Sequence, residues 1–181
     1  LLAINSDVKA WLTLDNTAID YPVVQGENNF SYINTDVYGN FALAGSIFLD
    51  SRCDNTFHDT YALVYGHHMD NGRMFGDLDL YKELDFFRQY YTGTLIIPGY
   101  QWPLRVFACM VVPSSEEKIF NPTLWKKDGI CGRLIQAACS TLPKLRPYIS
   151  ALIPSKPRAV RRARRSSPCP PAPRSTRTRA P

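Results

Sequence analysis

No run of 18 or more apolar residues interrupts this sequence of 181 residues, so a transmembrane helix is excluded within it. No signal-peptide pattern stands at its start, and the first residue is Leu1 rather than Met, so the text reads as a piece of a longer chain. No internal repeat is visible. The five cysteines (Cys53, Cys109, Cys131, Cys139 and Cys169) form no CxxC pair, which argues against a zinc ribbon, and their odd number argues against a disulfide framework. Cys109, Cys131 and Cys139 sit in apolar surroundings and read as small buried hydrophobes. No acidic cluster suggests calcium, and no cofactor motif is present.

Acid is also missing from the last 28 residues. Positions 154–181 hold one lysine, eight arginines and seven prolines, with no Asp or Glu. They carry nine of the 21 basic residues, so the net charge of +5 misleads: residues 1–153 hold 12 basic and 16 acidic side chains, a net of −4. The chain divides accordingly into a mildly acidic globular body, 1–153, and an Arg/Pro-rich tail, 154–181. The tail lacks apolar alternation, and proline removes ladder donors, so it is not expected to form a barrel strand. Its arginines can bind phosphates in a salt-dependent way, but no aromatics are interleaved and the body is acidic, so nucleic acid is not an expected partner.

What is present is 45% hydrophobic residues over the whole sequence, enough for one sizeable core. Strands are expected near 10–14, 21–25, 45–49, 61–66, 94–98 and 104–112. Residues 4–10 read as the end of a helix, 29–34 as a helical turn, and 74–81 and 84–91 as short helices. Ile130, Leu134, Ala138 and Leu142 form a helical stripe between Gly129 and Pro143. The most informative stretch is YALVYGHHMDNGRMFGDL, residues 61–78. A β-prone segment there runs into Gly66, His67 and His68, and Asp70, Asn71 and Gly72 make a turn. An imidazole at a strand end can move protons near neutral pH. His68 reads as a neighbouring surface or packing residue and His58 as solvated. Cys53, His58, His67, His68 and Asp70 match no standard zinc spacing, so no metal is expected. Asp20, Tyr21 and Pro22 read as a strand entry, Asp50 and Asp77 as turn or cap residues, and Met74 and Phe75 as packing.

The stretch resembles the catalytic-histidine region of class B sortases. Trp11-Leu12, Ile19-Asp20-Tyr21-Pro22-Val23-Val24-Gln25, Gly45-Ser46-Ile47-Phe48-Leu49-Asp50 and Met74-Phe75-Gly76-Asp77-Leu78 extend the resemblance in the expected order over roughly residues 5 to 150. It implies a mostly β fold: a closed β-barrel with short helices, one of them before the last two strands, which are missing from the text here. It also implies a cysteine transpeptidase. A thiolate attacks a sorting-signal peptide, a histidine transfers protons, an arginine steadies the oxyanion, and the acyl group passes to a peptidoglycan-precursor amine. His67 takes the proton-donor role. The enzyme would work at the extracytoplasmic face of the membrane or in the cell wall, and the N-terminal anchor that the family carries was either lost or lies outside this segment.

The family's nucleophile strand, Leu-Ser-Thr-Cys followed by an arginine, is not in the text. Cys139, in Ala138-Cys139-Ser140-Thr141, falls in the helical stripe with the wrong residue order. Cys169 lies at nearly the right chain position, between Pro168 and Pro170, and is the candidate by position. Arg177 and Arg179 lie near the arginine's place without its context. As written, the chain is expected to be inactive and, with strands missing, poorly packed. The other readings are a sortase-like peptide-binding pseudoenzyme and nucleic-acid binding through the tail.

A frameshift accounts for the abrupt change. Taking the third base of each codon with the first two of the next, Pro168-Cys169-Pro170-Pro171-Ala172 becomes NTG-YCC-NCC-NGC, which can encode Leu-Ser-Thr-Cys. The same shift lets residues 177–180 encode Asp-Ala-Arg, the arginine eight places after that cysteine. Sequencing the coding DNA from about codon 145 onward is expected to show Leu-Ser-Thr-Cys in the neighbouring frame. Any other reading of those codons contradicts the frameshift.

Overall fold

A computed structural model describes residues 1–125, 152–154 and 158–159. Its core is one curled, mostly antiparallel sheet. The strands are β1 (Val8–Leu14), β2 (Asp20–Val24), β3 (Ile47–Leu49), β4 (Val64–Tyr65), β5 (Thr92–Ile97), β6 (Tyr100–Val106), β7 (Leu152–Pro154) and β8 (Arg158–Ala159). They are ordered β4-β3-β2-β1-β5-β6-β7, with β8 also on β6. Among the described residues the ladders run from β4 at one end to β7 at the other, and no ladder joins these two. The helices are short: a 3-10 segment Gly76–Lys82, α1 (Leu84–Gln89), α2 (Glu117–Phe120) and a 3-10 turn Pro122–Trp125.

Two burial patterns divide the sheet. In β1, β5 and β6 inward and outward residues alternate, so Ala10, Leu12, Leu14, Leu95, Ile97, Trp102, Leu104 and Val106 all enter one core. In β2 and β3 both faces are covered. Val23, Ile47 and Leu49 join that core, while Val24 and Phe48 join a second cluster with Val8 and Tyr32. Strands buried on both faces read as unbroken apolar runs, which is what Ile47-Phe48-Leu49 and Val23-Val24 are. The second face is covered by the long connection between β2 and β3, which pair in parallel and so need a crossover. Tyr32, on that connection, donates its hydroxyl to Asp7 Oδ2 at 2.9 Å and accepts from Asn5 Nδ2 at 3.0 Å.

Several expectations are corrected. Residues 4–10 are not a helix end: a turn closes on Leu1, with Ile4 N–H on its carbonyl at 2.7 Å, and β1 starts at Val8. The alternation of Val8, Ala10, Leu12 and Leu14 outweighs any local helical preference. The strand expected at 61–66 is paired only over Val64–Tyr65, and the one expected at 104–112 runs earlier, over Tyr100–Val106. A Pro98-Gly99 turn joins β5 to β6, and Gly99 takes φ +87°, a conformation glycine adopts without steric cost. Strand pairing extends from the end of the body into the tail, at Pro154 and Arg158–Ala159. Leu152–Pro154 pairs Leu104–Val106, and Arg158–Ala159 pairs Tyr100 and Gln101. Edge pairing uses backbone groups alone, so a composition argument about buried side chains does not reach it. Pro103, which has no N–H, sits between the stretches of β6 that pair β7 and β8. The expected turn at 29–34 and the two helical stretches after residue 74 are present, the first of the latter as 3-10. The helical stripe over 130–142 lies outside the described residues.

Candidate functional site

His67 follows the end of β4. It is half-buried, and its carbonyl accepts the Phe75 N–H at 2.9 Å. His68 and Met74 then form an isolated antiparallel bridge, so residues 67–75 double back as a closed loop. Its ends are pinned by sequence. A Cβ on Gly66 would lie 2.3 Å from Ile47 Cδ1 and 2.8 Å from the Phe75 ring, so any larger residue there must displace these packed side chains. A Cβ on Gly76 would lie 2.1 Å from the Met69 carbonyl oxygen. Met74 is buried and holds φ +53°, a left-handed conformation that costs an L-residue roughly 1–2 kcal/mol. Its N–H donates to the Tyr21 hydroxyl at 3.1 Å, tying the loop to β2. Asp77 accepts the Ala18 N–H at 2.6 Å, tying the next turn to the β1–β2 connection.

The other histidines are placed apart from this role. His68 is exposed, with Nε2 3.3 Å from Asp79 Oδ2, which also holds Lys82 at 2.6 Å. His58 is exposed and hydrogen-bonds Thr56 through Nδ1, and its ring stands edge-on to Trp102 at 5.5 Å. Cys53 is buried, its sulfur accepting the Leu63 N–H at 3.5 Å. Cys109 Sγ lies 3.8 Å from the Leu78 carbonyl, and burial, with Asp79 adding to it, pushes this thiol up to about 11. Neither thiol is set up as a nucleophile. Among the described residues no three His, Cys, Asp or Glu side chains gather as for a metal ion. Cys131, Cys139, Cys169, Arg177 and Arg179 lie outside the described residues.

The residue that sequence reasoning undervalued is Asp50. It is no exposed turn residue; its relative exposure is 0%. The Arg52 guanidinium grips it in a fork, Nε on Oδ1 at 2.9 Å and Nη2 on Oδ2 at 2.7 Å, and the Arg52 N–H adds a bond to Oδ1. Asn29 Nδ2 and the Tyr65 hydroxyl donate to Oδ2 at 2.8 and 3.1 Å. Burial works to raise the Asp50 pKa, but these donors outweigh it and hold the carboxyl below its usual range. Arg52 reaches on to the Phe120 carbonyl at 2.8 Å, and the Tyr61 hydroxyl donates to the Ile119 carbonyl at 3.0 Å, which docks α2. The signal was legible as Asp50-Ser51-Arg52 at the end of a fully apolar run, where a carboxylate entering the core needs a partner nearby.

Comparison with known proteins covers most of the described body. The chain is 43% identical over 86 residues to Sortase B of Listeria monocytogenes, a match covering 48% of this chain and 35% of that protein. Over 89 residues it is 37% identical to Sortase B of Staphylococcus aureus, covering 48% of this chain and 36% of that one. In these matches the chain spans about a third of each relative's length. Among solved structures it resembles Spy0129, a Streptococcus pyogenes class B sortase involved in pilus biogenesis. That match has a TM-score of 0.70 at 38% identity and covers 84% of this chain and 80% of that one. No family model matches the chain.

Gly66→Ala is expected to destabilise the chain by about 1–3 kcal/mol, the range for forcing a methyl into a packed site. Urea unfolding checks this, and an unchanged midpoint would contradict the packing at the foot of the His67 loop.

Proposed function

The chain belongs to the class B sortase family, and from that premise we propose that it is the body of a cysteine transpeptidase in which His67 moves the proton. The carrying observation is the seat of His67: a half-buried residue one glycine beyond β4, in a loop closed on Phe75 and Met74, within a fold matching a class B sortase at 38% identity.

In the proposed reaction a cysteine thiolate attacks the carbonyl carbon of a sorting-signal peptide bond. A C–S bond forms, the C–N bond breaks, and His67 gives its proton to the departing amine. An amine then attacks the thioester: C–N forms, C–S breaks, the thiolate returns, and His67 takes a proton from the incoming nitrogen. An arginine steadies the oxyanion in both halves. A solved Staphylococcus aureus sortase B-substrate complex, 25% identical to this chain at a TM-score of 0.60, supports substrate binding by this fold. The acceptor is a peptidoglycan-precursor amine, and the work is done at the extracytoplasmic face or in the cell wall. Cys169 is the nucleophile by chain position alone. A cysteine restored by the shifted reading frame is the better candidate, because that frame also supplies Leu-Ser-Thr before it. The comparisons favour neither the peptide-binding pseudoenzyme nor nucleic-acid binding.

Incubating the chain with sorting-signal peptides and reading the intact mass is expected to show no acyl-thioester in the present frame. The frame-restored chain is expected to show one, and His67→Ala in it to lower turnover by about 10²–10⁴-fold. Full turnover by the frame-restored His67→Ala chain would overturn the role of His67.

A further inference from the structure

The strand that delivers His67 is very short. β4 pairs β3 at only two positions, Phe48↔Tyr65 and Leu49↔Val64, and the next residue, Gly66, has no side chain with which to hold on. Tyr65 is therefore the last side-chain anchor before His67. Its ring tilts against Phe48 with centroids 5.1 Å apart, and its hydroxyl donates to Asp50 Oδ2 at 3.1 Å. Asp50 is itself fully buried and fixed by Arg52 and Asn29.

We infer that Asp50, acting through the Tyr65 hydroxyl, is a positioning residue that sets where the end of β4 holds His67. The inference rests on the reading of His67 as the proton donor. Two further features fit it. Burial first, and then the Asp50 charge, push the Tyr65 phenol up to about 12, so it stays protonated and keeps donating at physiological pH. Arg52, which grips the same carboxylate, also donates to the Phe120 carbonyl at 2.8 Å and to Asn121 Oδ1 at 3.4 Å. One buried carboxylate thus links the His67-bearing strand with the segment from which the chain continues toward its C-terminal third. In a site assembled from two distant parts of the sequence, that link would keep the histidine in register with whatever the later part brings.

Tyr65→Phe tests this on the full chain, because it removes the hydroxyl and keeps the ring on Phe48. The Phe75 amide, bonded to the His67 carbonyl, is expected to exchange with deuterium roughly fivefold faster, the factor that about 1 kcal/mol of lost hydrogen bond represents. Amides in the β1–β5 ladder are expected to keep their rates. The His67 ring signals in nitrogen-correlated NMR spectra, assigned with His67→Gln, should move while those of His58 and His68 stay. Uniform acceleration across all ladders would reduce Tyr65 to a general stabiliser and overturn the inference. Unchanged Phe75 exchange with unmoved His67 signals would overturn it as well. Neither readout needs turnover, so failure here is separable from failure of the catalytic reading, which the frame-restored His67→Ala chain decides.

Discussion

A buried carboxylate needs partners, and the way Asp50 obtains them organises the candidate site. Taking an ionised group out of water costs several kcal/mol unless hydrogen bonds and an opposite charge compensate. Here the compensation comes from Arg52 two residues on, Asn29 on the β2–β3 connection and Tyr65 on β4. Gln25 Nε2 adds bonds to the Asp50 and Cys53 carbonyls at 2.9 Å, closing the turn that follows β3. The donors come from Asp50's own turn, the β2–β3 connection and β4, so satisfying one side chain aligns three parts of the chain. Asp50 is for that reason a constraint on geometry more than a source of stability.

The second constraint is two-sided burial of β2 and β3. Their unbroken apolar runs pack on the main core through one face and on Tyr32 through the other. β4 joins the edge of this layer for two residues and then must leave it. Gly66 makes the exit sterically possible. The Phe75-to-His67 bond and the left-handed Met74, bonded to Tyr21, close the loop beyond it. His67 stands where a rigid layer gives way to a closed loop, the kind of position from which an imidazole can serve a reacting group while its backbone stays fixed.

Much of this was legible in the residues. The strands expected near 10–14 and 94–98 coincide with β1 and β5, and the ordered blocks from Trp11 to Leu78 carried the family. The failures have physical reasons. Residues 4–10 contain charged and small residues that fit a helix end locally, but the core claims Val8 and Ala10. Residues 61–63 are β-prone yet lie outside the ladder, because the partner strand β3 has only three residues. The tail's pairing on β6 needs backbone groups alone, which composition does not reveal. Asp50 was read as a turn residue because the local signal, Arg52 two residues on, shows a partner but not the packing of that turn under α2. That contact joins residues 52 and 120, far apart in sequence.

The most direct measurement of the Asp50 account is equilibrium unfolding of the chain and of Asp50→Asn between pH 7 and pH 3. The folded-state pKa of Asp50 lies below its unfolded value of about 3.9, so its contribution is complete above that value and is lost as pH falls through the folded one. The account predicts a stability gap between the two proteins of about 1–3 kcal/mol near neutrality. That gap should hold steady down to about pH 5 and close under further acidification. A gap that stays constant to pH 3, or that is absent at pH 7, would contradict the claim that the ionised Asp50 carboxylate holds this site together.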